Sequence, residues 1–129
     1  MGNGNKKVLL VEDEDNIAFA LGFLIERQGF TMSRVSSGPD ALEAIMADIP
    51  DLVVLDVQLP GHSGYEVLQA LREDARFRAV KVLMMSASGG EVVRKKCLAL
   101  GANLFMMKPF SNVDLTKEIS KLLGEDMDG

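Results

Sequence analysis

Four short runs of this chain are apolar almost without interruption, and that continuity restricts the fold more than any other feature. They are Lys7–Val11 (KVLLV), Leu52–Asp56 (LVVLD), Val82–Ser86 (VLMMS) and Leu104–Met107 (LFMM). A strand with one wet face alternates apolar and polar residues, whereas a strand covered on both faces does not. The runs therefore predict a parallel sheet with helices on either side. A fifth run, Thr31–Val35 (TMSRV), is mixed and suits an edge strand.

Five helix candidates separate and follow these runs. The first extends from about Asn16 to Gln28, with Ile17, Ala20, Leu21 and Leu24 on its inner face and Gly29 as the stop. The second opens with Gly38 and Pro39 and carries Leu42, Ile45 and Met46 inward. The third, near Gly64–Ala75, shows Val67, Leu68 and Leu71. The fourth, near Gly90–Leu100, shows Val93, Cys97 and Leu100, with Gly101 as the stop. The fifth begins at Ser111, with Asp114 three residues on as in a capping box, and turns Leu115, Ile119 and Leu122 inward. The order is β-α repeated five times. Right-handed crossovers then place helices on both faces of an α/β fold.

The length of 129 residues suits one domain, residues 1–129, with its core at about 6–123 and flexible ends at 1–5 and 124–129. A hydrophobic fraction of 47% fills such a core without staples, and the single cysteine, Cys97, allows no intrachain disulfide. Cys97 falls on a helix's inner stripe and reads as a small core residue. The net charge of −5 argues against direct nucleic-acid binding. No apolar run approaches the roughly 20 residues that span a bilayer, and the polar start lacks a signal peptide's apolar stretch. The expected address is cytoplasmic, with no membrane partner.

In parallel sheets, ligands bind beyond the carboxyl ends of the strands. KVLLV is followed by Glu12 and Asp13, LVVLD ends at Asp56, VLMMS ends at Ser86, and LFMM is followed by Lys108. Three carboxylates on one rim repel one another, and a hard divalent cation such as Mg²⁺ relieves them. Lys108 and the Ser86 hydroxyl would compensate the oxygens of a phosphoryl group held beside that cation. Asp56, on the central strand, is then the natural nucleophile, giving an acyl phosphate. Singly, each residue has a plainer explanation: a helix N-terminal charge, a turn residue, a loop cap, a solvated lysine. His62 has no partner and reads as surface. The rim reading rests on the joint placement.

V-E-D-E at 11–14, L-D-V-Q-L-P-G at 55–61, M-S-A at 85–87 and K-P-F at 108–110 resemble the motifs of response-regulator receiver domains of two-component signalling, of the kind found in chemotaxis regulators. The resemblance covers residues 6–123. It implies a flavodoxin-like sheet of order 2-1-3-4-5 with five helices on both faces. It also implies Asp56 as phosphoacceptor, Glu12 and Asp13 as the acidic pair for Mg²⁺ with Asp13 the more direct ligand, and the Gln58 backbone carbonyl as a further ligand. Ser86 would bond the phosphoryl group and Lys108 would pair with it. Pro109 would follow a cis bond, and Phe105 would be the switch aromatic that moves with Ser86. The implied donor is a histidine kinase or phosphotransfer protein, and the reader an output domain or target protein, the chain being either stand-alone or part of a longer protein. Such a domain is not an enzyme beyond its own phosphorylation and dephosphorylation.

Departures from the common pattern are Glu-Asp in place of Asp-Asp, the loop Gly61-His62-Ser63-Gly64, and Phe105 where Tyr is frequent. Three alternatives remain. One is an aspartyl-phosphate phosphatase of the haloacid-dehalogenase type, which wants a second Asp where Gln58 stands. Another is a pseudo-receiver interaction module that has lost the chemistry. The third, a nucleotide- or flavin-binding domain, needs a Gly-rich loop where Glu12–Asp15 is acidic.

Overall fold

The computed structural model describes residues 6–124; of the flexible ends expected at 1–5 and 124–129, all but Gly124 lie outside the described residues. The strands are β1 (Lys7–Val11), β2 (Thr31–Val35), β3 (Leu52–Asp56), β4 (Lys81–Ser86) and β5 (Leu104–Met107). The helices are α1 (Asp15–Arg27), α2 (Gly38–Ala47), α3 (Gly64–Glu73), α4 (Gly90–Ala99) and α5 (Asn112–Leu122). All pairings are parallel and the strand order is β2-β1-β3-β4-β5. This is the flavodoxin-like topology expected from the sequence.

The helices divide between two apolar layers. α1 and α5 cover one face through Ala18, Leu21, Ile25, Leu115 and Ile119, packed on Val8, Leu10, Val54, Leu83 and Met85. α2, α3 and α4 cover the other through Ala41, Ile45, Val67, Leu68, Leu71 and Cys97, packed on Leu9, Val53, Leu55, Val82 and Met84. β3 is buried along its whole length. Each large aliphatic side chain sealed in this way contributes roughly 1.5–3 kcal/mol relative to an exposed one.

Burial departs from simple helical and strand spacing in places. The buried stripe of α1 is Ala18, Leu21, Gly22 and Ile25, with Ala20 exposed. Gly22 lies on that stripe because Met32 of β2 occupies the space a Cβ would take. On α2, Ala41 and Ile45 are buried, while Met46 is exposed. β5 is continuously apolar yet only half-buried, because it forms the second edge of the sheet. α3 stops at Glu73, and Asp74 caps a separate 3-10 turn, Ala75–Phe77, by accepting from the Arg76 N–H at 2.9 Å. Gly29 and Gly101 end α1 and α4 with φ of 95° and 109°, as their positions predict. Ser111 accepts from the Asp114 N–H at 3.0 Å, but the reciprocal capping box lies at α3, between Ser63 and Glu66.

Candidate functional site

The β1 ladder runs one residue past its strand, since the Glu12 N–H donates to the Val35 carbonyl at 3.1 Å. The Glu12 side chain is wholly buried. Its Oε2 accepts from the Glu14 N–H at 3.0 Å and its Oε1 from Lys108 Nζ at 2.9 Å. Asp13 is exposed at the mouth. Asp56, the last residue of β3, is 5% exposed. Its Oδ1 accepts from the Gln58 N–H at 3.0 Å and its Oδ2 from Lys108 Nζ at 2.6 Å. One carboxylate oxygen from each of Glu12, Asp13 and Asp56 falls in a group spanning no more than 4.8 Å.

Backbone contacts hold this arrangement. The Lys108 N–H donates to the Ser86 carbonyl at 2.8 Å, which anchors the end of β5 on β4. The Lys108–Pro109 bond is cis. The first turn of α3 presses on the end of β3, and its Gly64 N–H donates to the Val57 carbonyl at 2.7 Å. A Cβ on Gly64 would fall on the Asp56 carbonyl oxygen and the Val57 Cα, so only glycine permits this approach.

Burial pushes the Glu12 carboxyl above its usual range, only partly offset by the Lys108 and Glu14 hydrogen bonds. Burial also disfavours the Lys108 ammonium, but hydrogen bonds to Asp56 and Glu12 outweigh it and raise its pKa. One ammonium, bonded to Glu12 and Asp56, thus stands against a group of three carboxylates that includes the exposed Asp13, leaving a negative excess of hard oxygen donors. That donor set fits Mg²⁺, which takes carboxylate, carbonyl and water oxygens. A cleft of about 690 Å³ opens beside the group, lined by Asp13, Gln58, His62, Ser86, Tyr65 and Val93 among others. It has room for a phosphoryl group and the end of its donor.

Other residues singled out in the sequence stand apart from this cluster. Ser86 is buried, but its hydroxyl donates to the Ser88 carbonyl at 2.9 Å and accepts from the Ser88 N–H at 3.2 Å. The Gln58 side-chain amide donates to Ser88 Oγ at 3.4 Å, joining the loops after β3 and β4. Phe105 is half-buried against the layer under α2, α3 and α4. His62 is exposed, with its Cβ against Gly38 at the start of α2. Cys97 is buried, and burial pushes its thiol pKa up, as suits a core residue. Arg34 is not among the residues that the sequence singles out, yet its guanidinium reaches the Glu12 carbonyl and Asp15. The available signal was a cation on a half-apolar edge strand beside an acidic loop.

The family model for the response regulator receiver domain matches residues 8–120. The chain is 33% identical over 117 residues to the phosphate regulon transcriptional regulatory protein PhoB of Rhizobium meliloti, covering 91% of this chain and 52% of that protein. It is 37% identical over 119 residues to the alkaline phosphatase synthesis transcriptional regulatory protein PhoP of Bacillus subtilis, covering 92% and 49% respectively. The chain thus spans about half the length of the curated relatives it matches. Among solved structures, the signal receiver domain of a signal transduction histidine kinase from Syntrophus aciditrophicus superposes with a TM-score of 0.86 at 26% identity, over 96% of this chain and 94% of that one. The chemotaxis response regulator CheY4 of Vibrio cholerae shares the fold at a TM-score of 0.85 and 24% identity, over 92% of this chain and 98% of its own. Motifs, topology and these relatives agree, and the chain belongs to the response-regulator receiver-domain family.

Proposed function

We propose that Asp56 accepts a phosphoryl group from a histidine kinase or phosphotransfer protein, and that the resulting acyl phosphate switches a surface read by an output domain or target protein. The observation that carries this reading is the Lys108 ammonium, 2.6 Å from Asp56 Oδ2 and 2.9 Å from Glu12 Oε1, beside an acidic group at the carboxyl end of a parallel sheet. A carboxylate oxygen of Asp56 attacks phosphorus. The bond from phosphorus to the donor's imidazole nitrogen breaks, and its electron pair leaves with the imidazole.

Glu12, Asp13, Asp56 and the Gln58 backbone carbonyl would hold Mg²⁺, which when bound neutralises charge on the transferring phosphoryl oxygens. Lys108 places a fixed positive charge at the acceptor. Ser86 must exchange its bonds with Ser88 for one to the phosphoryl oxygen, which moves the loop after β4. Phe105 lies half-buried on the neighbouring strand, and its turning with Ser86 would bias α4, β5 and α5 toward a second arrangement. The phosphatase alternative is not favoured, because the Gln58 amide cannot serve as a general acid. The pseudo-receiver is not favoured either, since the acids and the lysine are all in place.

The test is incubation with acetyl phosphate and Mg²⁺, read by intact-protein mass. The expected result is a gain of one phosphoryl group that EDTA prevents and Asp56→Asn abolishes. Labelling that persists unchanged in Asp56→Asn refutes the assignment.

A further inference from the structure

Arg34 grips the backbone that carries the acidic pair. Its Nε and Nη2 both donate to the Glu12 carbonyl, at 2.9 and 2.8 Å, and its Nη1 pairs with Asp15 Oδ1 at 3.0 Å. Arg34 lies opposite Leu10 in the β1–β2 ladder, so its side chain extends past the end of β1 to reach this loop. Glu12 is therefore held on both sides from β2: its N–H by the Val35 carbonyl, its carbonyl by Arg34.

The Glu12 carbonyl belongs to the peptide that joins Glu12 to Asp13. Fixing that plane fixes the base from which both acidic side chains project. It matters most for Asp13, which is exposed and has little packing of its own to orient it. The Asp15 arm is weaker, since that carboxylate is 90% exposed and screened by solvent. The two bonds to one carbonyl are the specific feature, because an arginine fork can place two N–H groups on one oxygen and still reach a second acceptor.

We propose that Arg34 is a positioning residue that sets the affinity of the acidic group for a divalent cation by holding the Glu12–Asp13 peptide. The inference rests on the reading of Glu12, Asp13 and Asp56 as a Mg²⁺ site. Positioning and charge act with opposite signs here. A nearby guanidinium repels a second cation, so if charge alone mattered, removing Arg34 would tighten Mg²⁺ binding. If positioning dominates, removing it weakens binding, as loss of groups that orient metal ligands does.

The test is Mg²⁺ titration of the full chain, followed by backbone amide NMR shifts in the loops after β1 and β3, for wild type, Arg34→Ala and Arg34→Lys. Arg34→Ala is expected to weaken Mg²⁺ binding on the order of tenfold. Arg34→Lys keeps the charge but gathers its donors on a single nitrogen and loses the fork, and is expected to fall between the two. With acetyl phosphate as donor, the Mg²⁺ concentration for half-maximal labelling should shift by the same factor, while the maximal rate changes by less than about twofold. Thermal unfolding in EDTA establishes that each variant is folded. Should Arg34→Ala not fold, Arg34→Lys decides alone. Wild-type or tighter affinity in either folded variant overturns the inference while leaving the metal site standing. Absence of Mg²⁺ binding by the wild type overturns both together.

Discussion

Lys108→Met tests whether one ammonium stabilises two buried acids. Methionine keeps an unbranched stem of similar bulk and removes only the charge and its donors. Lys108 Nζ sits 2.9 Å from Glu12 Oε1 and 2.6 Å from Asp56 Oδ2, and both carboxylates are nearly sealed from solvent. At an effective dielectric constant of about 20, each contact is worth roughly 6 kcal/mol of attraction before desolvation is subtracted. Breaking a buried pair by removing one partner typically costs about 3–5 kcal/mol net. Proton uptake limits that loss. From its ordinary value of 4.5, neutralising Glu12 at pH 7 costs about 3.4 kcal/mol at about 1.36 kcal/mol per pH unit. The existing upward displacement of Glu12 makes the real figure smaller.

The expected destabilisation is therefore about 3 kcal/mol at pH 7. It should shrink toward about 1 kcal/mol at pH 5, because the folded variant binds a proton that the unfolded chain releases. The assay is urea unfolding in EDTA at both pH values. Adding Glu12→Gln should recover part of the loss, giving a coupling of about 1–3 kcal/mol in a double-mutant cycle. A loss below about 1 kcal/mol at pH 7, or one independent of pH, refutes the argument that Lys108 compensates these acids.

Gly64→Ala drives a methyl group into the Asp56 carbonyl and the Val57 Cα; it should cost about 1–3 kcal/mol in chemical denaturation and slow acetyl phosphate labelling, and an unperturbed variant contradicts the close approach. Gln58 and Ser88 share a hydrogen bond between the loops flanking Asp56; if they govern the approach of water, phosphate loss followed by mass spectrometry should change rate in Gln58→Ala and Ser88→Ala, and identical decay in both removes them from that role. The hydrogen bond from the Arg76 side chain, with further help from its backbone N–H, holds the Asp74 carboxyl down at about 2. This group's contribution to stability is complete above its ordinary 3.8 and is lost as pH falls through about 2, and carboxyl NMR with a midpoint near 4 rules it out.

Most of the architecture was legible because its signals are local. The run LVVLD announces a strand covered on both faces, and β3 is buried from Leu52 to Asp56. Gly29 and Gly101 mark helix ends because their left-handed φ excludes most other residues. Spacing misleads where burial depends on neighbours. Ala20 looked inward by spacing, but α1 is rotated so that Gly22 meets Met32. LFMM looked fully covered, but its place at the sheet edge leaves Met107 43% exposed.

The site divides along the same line. The strand-end positions of Glu12, Asp13, Asp56, Ser86 and Lys108 follow from the order of strands and loops, so the sequence alone determined which groups share the rim. Tertiary structure decided what those groups touch: Lys108 bonded to both Glu12 and Asp56, Ser86 turned to Ser88, and Arg34 fastened to the Glu12 carbonyl. Periodicity is written in neighbouring residues and survives without the rest of the chain. A hydrogen bond between residues 96 positions apart, as between Lys108 and Glu12, exists only once two distant strands have closed around it.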